Sequence, residues 1–311
     1  MKTAPPETPT PSAVPPDDAP KPEGFGRLVV PLFLTPFAVI GALLVLGVAF
    51  YFVLTPKDRS ADEVLERVLR GGANERWQAA QELAHRVSDE SERERLDPGF
   101  AGRVRDALER SREDDPRVRE FLVGTLAFLR DTSSVDLLVA SLEDPGEDPE
   151  GRIRFACAIA LGPLGDPAAV PVLGRVLRES PDEGLRIACT HSLGRLPGSA
   201  SVEALRGALS DGSWLVRCNA AIALAFHGLD DGKPYLLELL DREKLRGLRE
   251  NAFRREEDQQ SALIEGIRAL AGLRAEEAIP RIERLAAEDP SPKVQDAALR
   301  ALEELRRERP R

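Results

Sequence analysis

The chain has 311 residues, of which 42% are hydrophobic, 5% aromatic and 31% charged, and it carries a formal net charge of −10. Before position 60 five basic groups (Lys2, Lys21, Arg27, Lys57, Arg59) cancel five acidic ones (Glu7, Asp17, Asp18, Glu23, Asp58), so the whole negative excess falls on the remainder. That is the wrong sign for a surface that neutralises phosphates, and a nucleic-acid partner is excluded.

In chain order, residues 1–27 hold eight prolines and few aliphatic side chains, the composition of a disordered, polyproline-type tail. Residues 28–54 follow without one ionisable group. A helix of about 20 apolar residues spans a bilayer, so this 27-residue stretch predicts a transmembrane helix with some tilt. Pro31 and Pro36 sit near its start, where proline is tolerated, and Phe50, Tyr51 and Phe52 stand where an interfacial aromatic belt is expected. A cleaved signal peptide needs a shorter apolar core, about 7 to 15 residues, and a small-residue cleavage site. Here Phe52-Val53-Leu54-Thr55-Pro56 follows instead. Lys21 and Arg27 precede the span, and Lys57, Arg59, Arg67 and Arg70 follow it. The positive-inside rule then puts the C-terminal domain in the cytoplasm of a single-pass membrane protein. Three cysteines, an odd number, fit that reducing compartment.

Residues 55–311 are charged, rich in Ala and Leu and poor in β-branched residues, which favours helices. One pattern recurs there: an apolar residue, Arg, a small residue three positions later and Leu four beyond that. It reads Val118-Arg119, Leu122, Leu126; then Ile153-Arg154, Cys157, Leu161; then Leu185-Arg186, Cys189, Leu193; then Val216-Arg217, Ala220, Leu224. Weaker copies are Arg76, Ala79, Leu83 at the start, Leu263, Gly266, Leu270 without the Arg, and Gln295, Ala298, Leu302 at the end. The central leucines are 35, 32 and 31 residues apart, one helix pair with its turns. First helices open at Pro171, Pro234 and Pro280, and second helices follow Asp115-Pro116, Asp148-Pro149, Asp182, Asp211-Gly212 and Asp289-Pro290. Seven pairs, none able to bury its own apolar face, predict an all-α fold: an α-solenoid preceded by one transmembrane helix.

These motifs, with Gly165-Asp166-Pro167 after Leu164, resemble HEAT repeats, in particular the short HEAT-like kind of the phycobilin lyases. The resemblance runs from about 61 to 307 and is tightest over 149–227. It implies that each column Arg pairs with an Asp opening a nearby second helix, and each central Arg has one four or six residues upstream. The family also includes enzymes. Deoxyhypusine hydroxylase-like members bind iron through His-Glu pairs, but the histidines here precede Arg86, Ser192 and Gly228. DNA-glycosylase relatives use a basic inner surface, against the charge found here. Cys189 and His191, two apart on a helix, point away from one another, and Cys157 and Cys189 share the inward column of Ala79 and Ala220. No catalytic, cofactor or metal residues are assigned.

Two features remain. Leu270 follows Leu224 by 46 residues, so 241–260 is an insertion, either a solvated loop or lengthened helix, or an element that projects towards a partner. On each second helix, positions +1, +5 and +9 from the Arg face away from the core column. In the last repeat they are Asp296, Arg300 and Glu304; in the central ones they are largely apolar: Phe128, Phe155, Ile159, Ile187, Cys218, Ile222 and Phe226, with His191 and Arg195 among them. An exposed apolar stripe marks an interaction site. The sequence therefore predicts a membrane-anchored scaffold, held in the lipid bilayer by 28–54, whose inner groove over 120–230 receives a protein partner. The alternatives are an enzyme or pigment-handling protein using the same surface, or a stripe made internal core because the solenoid curls tightly or the insert Asp241–Gln260 folds back.

Overall fold

The computed structural model describes Leu46 and residues 60–144, 151–247 and 255–307. The chain divides into two compact units, Met1–Asp58 and Arg59–Arg311. In the first, the span expected at 28–54 lies outside the described residues apart from Leu46, which is helical and exposed. Among the described residues no helix is long and apolar enough to cross a membrane.

The second unit is helical throughout its described residues, as seven pairs. They are α1 (Ala61–Arg70) with α2 (Ala73–Ser88), then, after the single turn α3 (Glu90–Arg93), α4 (Phe100–Arg110) with α5 (Pro116–Leu129). Next come α6 (Val135–Glu143) with α7 (Arg152–Leu164), α8 (Val170–Glu179) with α9 (Glu183–Leu193), and α10 (Ser199–Ala208) with α11 (Trp214–Phe226). In the sixth pair α12 (Lys233–Leu239) and α14 (Glu256–Gly272) are separated by α13 (Arg242–Gly247); α15 (Ile279–Glu288) and α16 (Pro292–Arg306) close the row. Second helices pack on second helices, α2 on α5, α5 on α7, α7 on α9, α9 on α11, α11 on α14 and α14 on α16.

Local chemistry fixes the boundaries. Ser60 caps α1 by accepting from the Glu63 N–H at 3.2 Å, with Asp62 and Glu63 in the first turn and Arg67 and Arg70 in the last, matching the helix dipole. Asp115 caps α5 ahead of Pro116, and Asp182 caps α9. Asp211 and Asp289 stand in the turns before their caps. Ser213 and Ser291 hold the cap positions, and the two aspartates accept the cap N–H groups at 2.7 and 2.9 Å. Between pairs the chain reverses through a left-handed residue and a 3₁₀ turn. Gly165 takes that conformation at φ 72°, where glycine meets no steric penalty, and Arg130 takes it at φ 52°.

The predicted column is the core. Ala79, Leu122, Cys157, Cys189, Ala220 and Ala298 are buried, as are Leu83, Leu126, Leu161, Leu193, Leu224, Leu270 and Leu302. The three cysteines are free thiols. Close approach of α7 and α9 rests on Gly162, where an added Cβ would meet the Ser192 Cα at 3.0 Å; the Ser192 hydroxyl donates to the Ala158 carbonyl at 2.6 Å.

The arginine ladder follows in part the pairing that the resemblance implies. Arg186 reaches forward to Asp211 of the next repeat, not back to Asp182, and Arg76 reaches forward to Asp114. Asp115 instead pairs with Arg117, and Arg217 donates to the backbone carbonyls of Asp211 and Gly212. First helices carry a second ladder that the repeat pattern did not reveal: Arg105 to Asp131 at 3.1 Å and Arg206 to Asp231 at 2.7 Å.

A candidate interaction groove

The +1, +5 and +9 positions of α5, α7 and α9 lie on one face of three adjacent helices. On α5 they are Glu120, Gly124 and Phe128; on α7, Phe155, Ile159 and Pro163; on α9, Ile187, His191 and Arg195. Phe128 and Phe155 are 45% and 46% exposed, an unusual state for large apolar side chains in a well-packed repeat. With Ile159 and Arg195 they line a groove of about 490 Å³. Its floor is kept low by Gly124, Ala156 and Ala160; at Gly124 an added Cβ would meet nothing within 4 Å. The rim carries Arg93, Arg130, Arg195 and Glu120.

The stripe expected over 120–230 is thus partly open and partly closed. Ile187 is half-buried against the core and His191 is exposed; neither lines the groove. Cys218 and Ile222 are core, 2% and 8% exposed, which corrects their assignment to an open surface. They pack in a second apolar cluster with Leu236, Leu239, Leu245 and Leu263, while Val216, Ala220 and Leu224 on the same helix belong to the first. Helix α11 is therefore buried on two sides, because α12 and α14 pack on it at the register that stays open on α5 and α7, and Leu245 of the inserted α13 joins the same cluster. Phe226, at the end of α11, is 68% exposed but stands apart from the groove. At the other end the face closes at Trp77, over whose ring the Arg117 guanidinium lies 4.3 Å from the centroid.

Glu120, Gly124 and Pro163 were legible from the register that gave the phenylalanines. Arg93 and Arg130 were not: one sits on a single-turn helix outside the repeat pattern, the other on the reversal after α5.

The inserted segment is not simply a projecting loop. Of 241–260, residues 248–254 lie outside the described set, but Leu245 is fully buried and Arg242, 9% exposed, forms an ion pair with Asp289 at 3.1 Å.

Three titratable side chains near the stripe lie outside the groove. Burial pushes the Cys189 and Cys218 thiols up to about 12, far from a reactive thiolate. Burial and then the Arg195 charge hold His191 below its usual range. Among the described residues no cluster of three His, Cys, Asp or Glu side chains is able to hold a metal ion.

Comparison with known proteins bears on the repeats. Residues 104–194 and 174–255 match the family model of HEAT repeats. Over these residues the chain is similar to HEAT repeats. No curated protein sequence matches the chain. Among solved structures, the complex of CpcE and CpcF of phycocyanin lyase from Nostoc sp. PCC7120 aligns with a TM-score of 0.53 at 19% identity, over 81% of this chain and 90% of that one. Human deoxyhypusine hydroxylase aligns at 0.34 and 18% identity over 79% and 84% of the two chains. An engineered protein aligns at 0.43 and 18% identity over 79% and 96%. At such identities the first likeness establishes the fold, an α-solenoid of HEAT repeats, and nothing about activity.

Proposed function

We propose that this protein is a membrane-anchored, non-enzymatic interaction scaffold whose HEAT repeats offer the groove between α5, α7 and α9 to a protein partner. The observation that carries the reading is the pair Phe128 and Phe155, nearly half exposed beside Ile159 over a floor of small residues. Leaving such side chains in water forgoes burial worth about 25 cal/mol per Å², and apolar patches of this kind serve recognition. The anchor is residues 28–54, uncharged and long enough for a bilayer, with the positive bias on the C-terminal side placing the repeats in the cytoplasm.

Two experiments test this. Carbonate washing should leave the full-length chain in the membrane pellet, and its release would remove the anchor. Co-purification from native membranes should recover a polypeptide with wild-type chain and lose it with Phe155→Ser. A second reading, an enzyme or pigment-handling protein working from the same face, draws on the fold shared with the CpcE–CpcF complex and on a groove large enough for a small molecule. A coloured or cofactor-bearing preparation would favour it over the scaffold.

A further inference from the structure

We infer that the segment received by the groove is acidic: a stretch of polypeptide with aromatic or aliphatic anchors flanked by Asp and Glu. The inference rests on reading the groove as a protein-docking site and adds the chemistry of what docks. Its basis is the rim. Arg130, on the left-handed reversal after α5, and Arg195, just beyond α9, are both exposed. Neither side chain has an ion pair or hydrogen bond among the described residues. Some arginines of the repeats find carboxylates, as Arg105, Arg186, Arg206 and Arg242 do, while Arg217 and Arg281 meet backbone carbonyls. Arg93, the third rim cation, gives one nitrogen to the carbonyls of Val87 and Ser88. The rim's one carboxylate, Glu120, faces Arg152 at 3.9 Å.

A chain with a formal charge of −10 thus keeps unpaired guanidinium groups around its apolar groove. Their planar donor forks suit carboxylates, and a positive rim on a negative body selects an acidic partner by attraction at the groove and repulsion elsewhere. Spacing favours a peptide over a lipid headgroup. Arg130 and Arg195 belong to repeats two steps apart, and stacked helices stand roughly 8 to 10 Å from one another. The helices that carry the two cations therefore stand about 16 to 20 Å apart with α7 between them, and a peptide laid across all three reaches both. A helix covers that length in about 13 residues.

Selection from a phage library of random 16-residue peptides, with the full-length chain held in nanodiscs of neutral phosphatidylcholine, tests this. The expected peptides carry aromatic or aliphatic anchors with an excess of Asp and Glu on either side. They bind wild type, lose about tenfold in affinity to Arg130→Glu/Arg195→Glu at low salt and less at high salt, and fail on Gly124→Leu, whose Cβ meets nothing within 4 Å and whose bulk enters the groove. Peptides that fail on Gly124→Leu but show no acidic excess would overturn the inference and leave the docking reading standing. Peptides indifferent to Gly124→Leu, or none selected, would overturn both. Displacement of the peptides by soluble short-chain phosphatidylserine at lower concentration would assign the rim to a lipid headgroup and overturn the inference.

Discussion

Arg186 holds Asp211 with two guanidinium nitrogens, at 3.0 and 3.1 Å, and so ties the second helix of one repeat to the turn that opens the second helix of the next. Asp211 also accepts the Ser213 N–H at 2.7 Å, and both ion-pair side chains are about 85% shielded. Asp211→Ala leaves a shielded arginine without its carboxylate and a cap N–H without its acceptor. The expected cost is about 2 to 4 kcal/mol in urea unfolding. Glu66→Ala breaks the exposed Glu66–Arg70 pair and should cost under about 0.5 kcal/mol. Equal costs for the two would mean that the ladder does not join the repeats.

The insertion completes that ladder. In the sixth pair Leu263 stands where the first five repeats carry Arg, and Arg242 from α13 supplies the missing cation to Asp289, which precedes α16. The Asp289 side chain is fully buried and Arg242 also reaches Glu256 at 2.7 Å. Arg242→Ala should therefore destabilise the chain by about 3 kcal/mol, as removal of one partner from a buried pair does. A change below about 1 kcal/mol in denaturant unfolding would return the insertion to the status of a solvated loop.

Thiol labelling tests where the open face ends. Cys157, Cys189 and Cys218 are buried, and burial pushes Cys189 and Cys218 up to about 12. At pH 8 the native chain should resist a thiol reagent at all three and react fully once unfolded. Rapid labelling of Cys218 in the folded state would mean that α14 does not cover α11.

His191 gives a pH signature. Partial burial and then the Arg195 charge hold its imidazole below the ordinary range near 6.5. As pH falls through about 6.5 the unfolded chain takes up a proton that the folded chain resists, so stability falls, and it levels off below the folded value. His191→Gln should flatten this part of the unfolding free energy against pH. An unchanged slope would place the titration elsewhere.

The repeat pattern was readable because packing imposes it: Leu126, Leu161, Leu193 and Leu224 recur at the spacing of a helix pair, and each is fully buried. The groove was partly readable for the same reason, since Phe128, Phe155 and Ile159 follow from register alone. Cys218 and Ile222 share that register but are buried, in a cluster with side chains of α12, α13 and α14 around the insertion, the outcome left open as an insert that folds back. Register cannot report what a non-repeating segment covers. Arg93 and Arg130 eluded the pattern because turns, not helices, carry them.

The groove itself is tested most directly by Phe128→Ser/Phe155→Ser, measured for urea unfolding and for partner recovery from native membranes. Both side chains are nearly half exposed, so the predicted result is a loss of unfolding free energy of no more than about 1 kcal/mol together with loss of the co-purifying polypeptide. Ile222→Ser, at a buried position, should instead cost several kcal/mol, about the size of a core truncation. A core-sized loss of stability in the double variant, or partner recovery equal to wild type, would contradict the account.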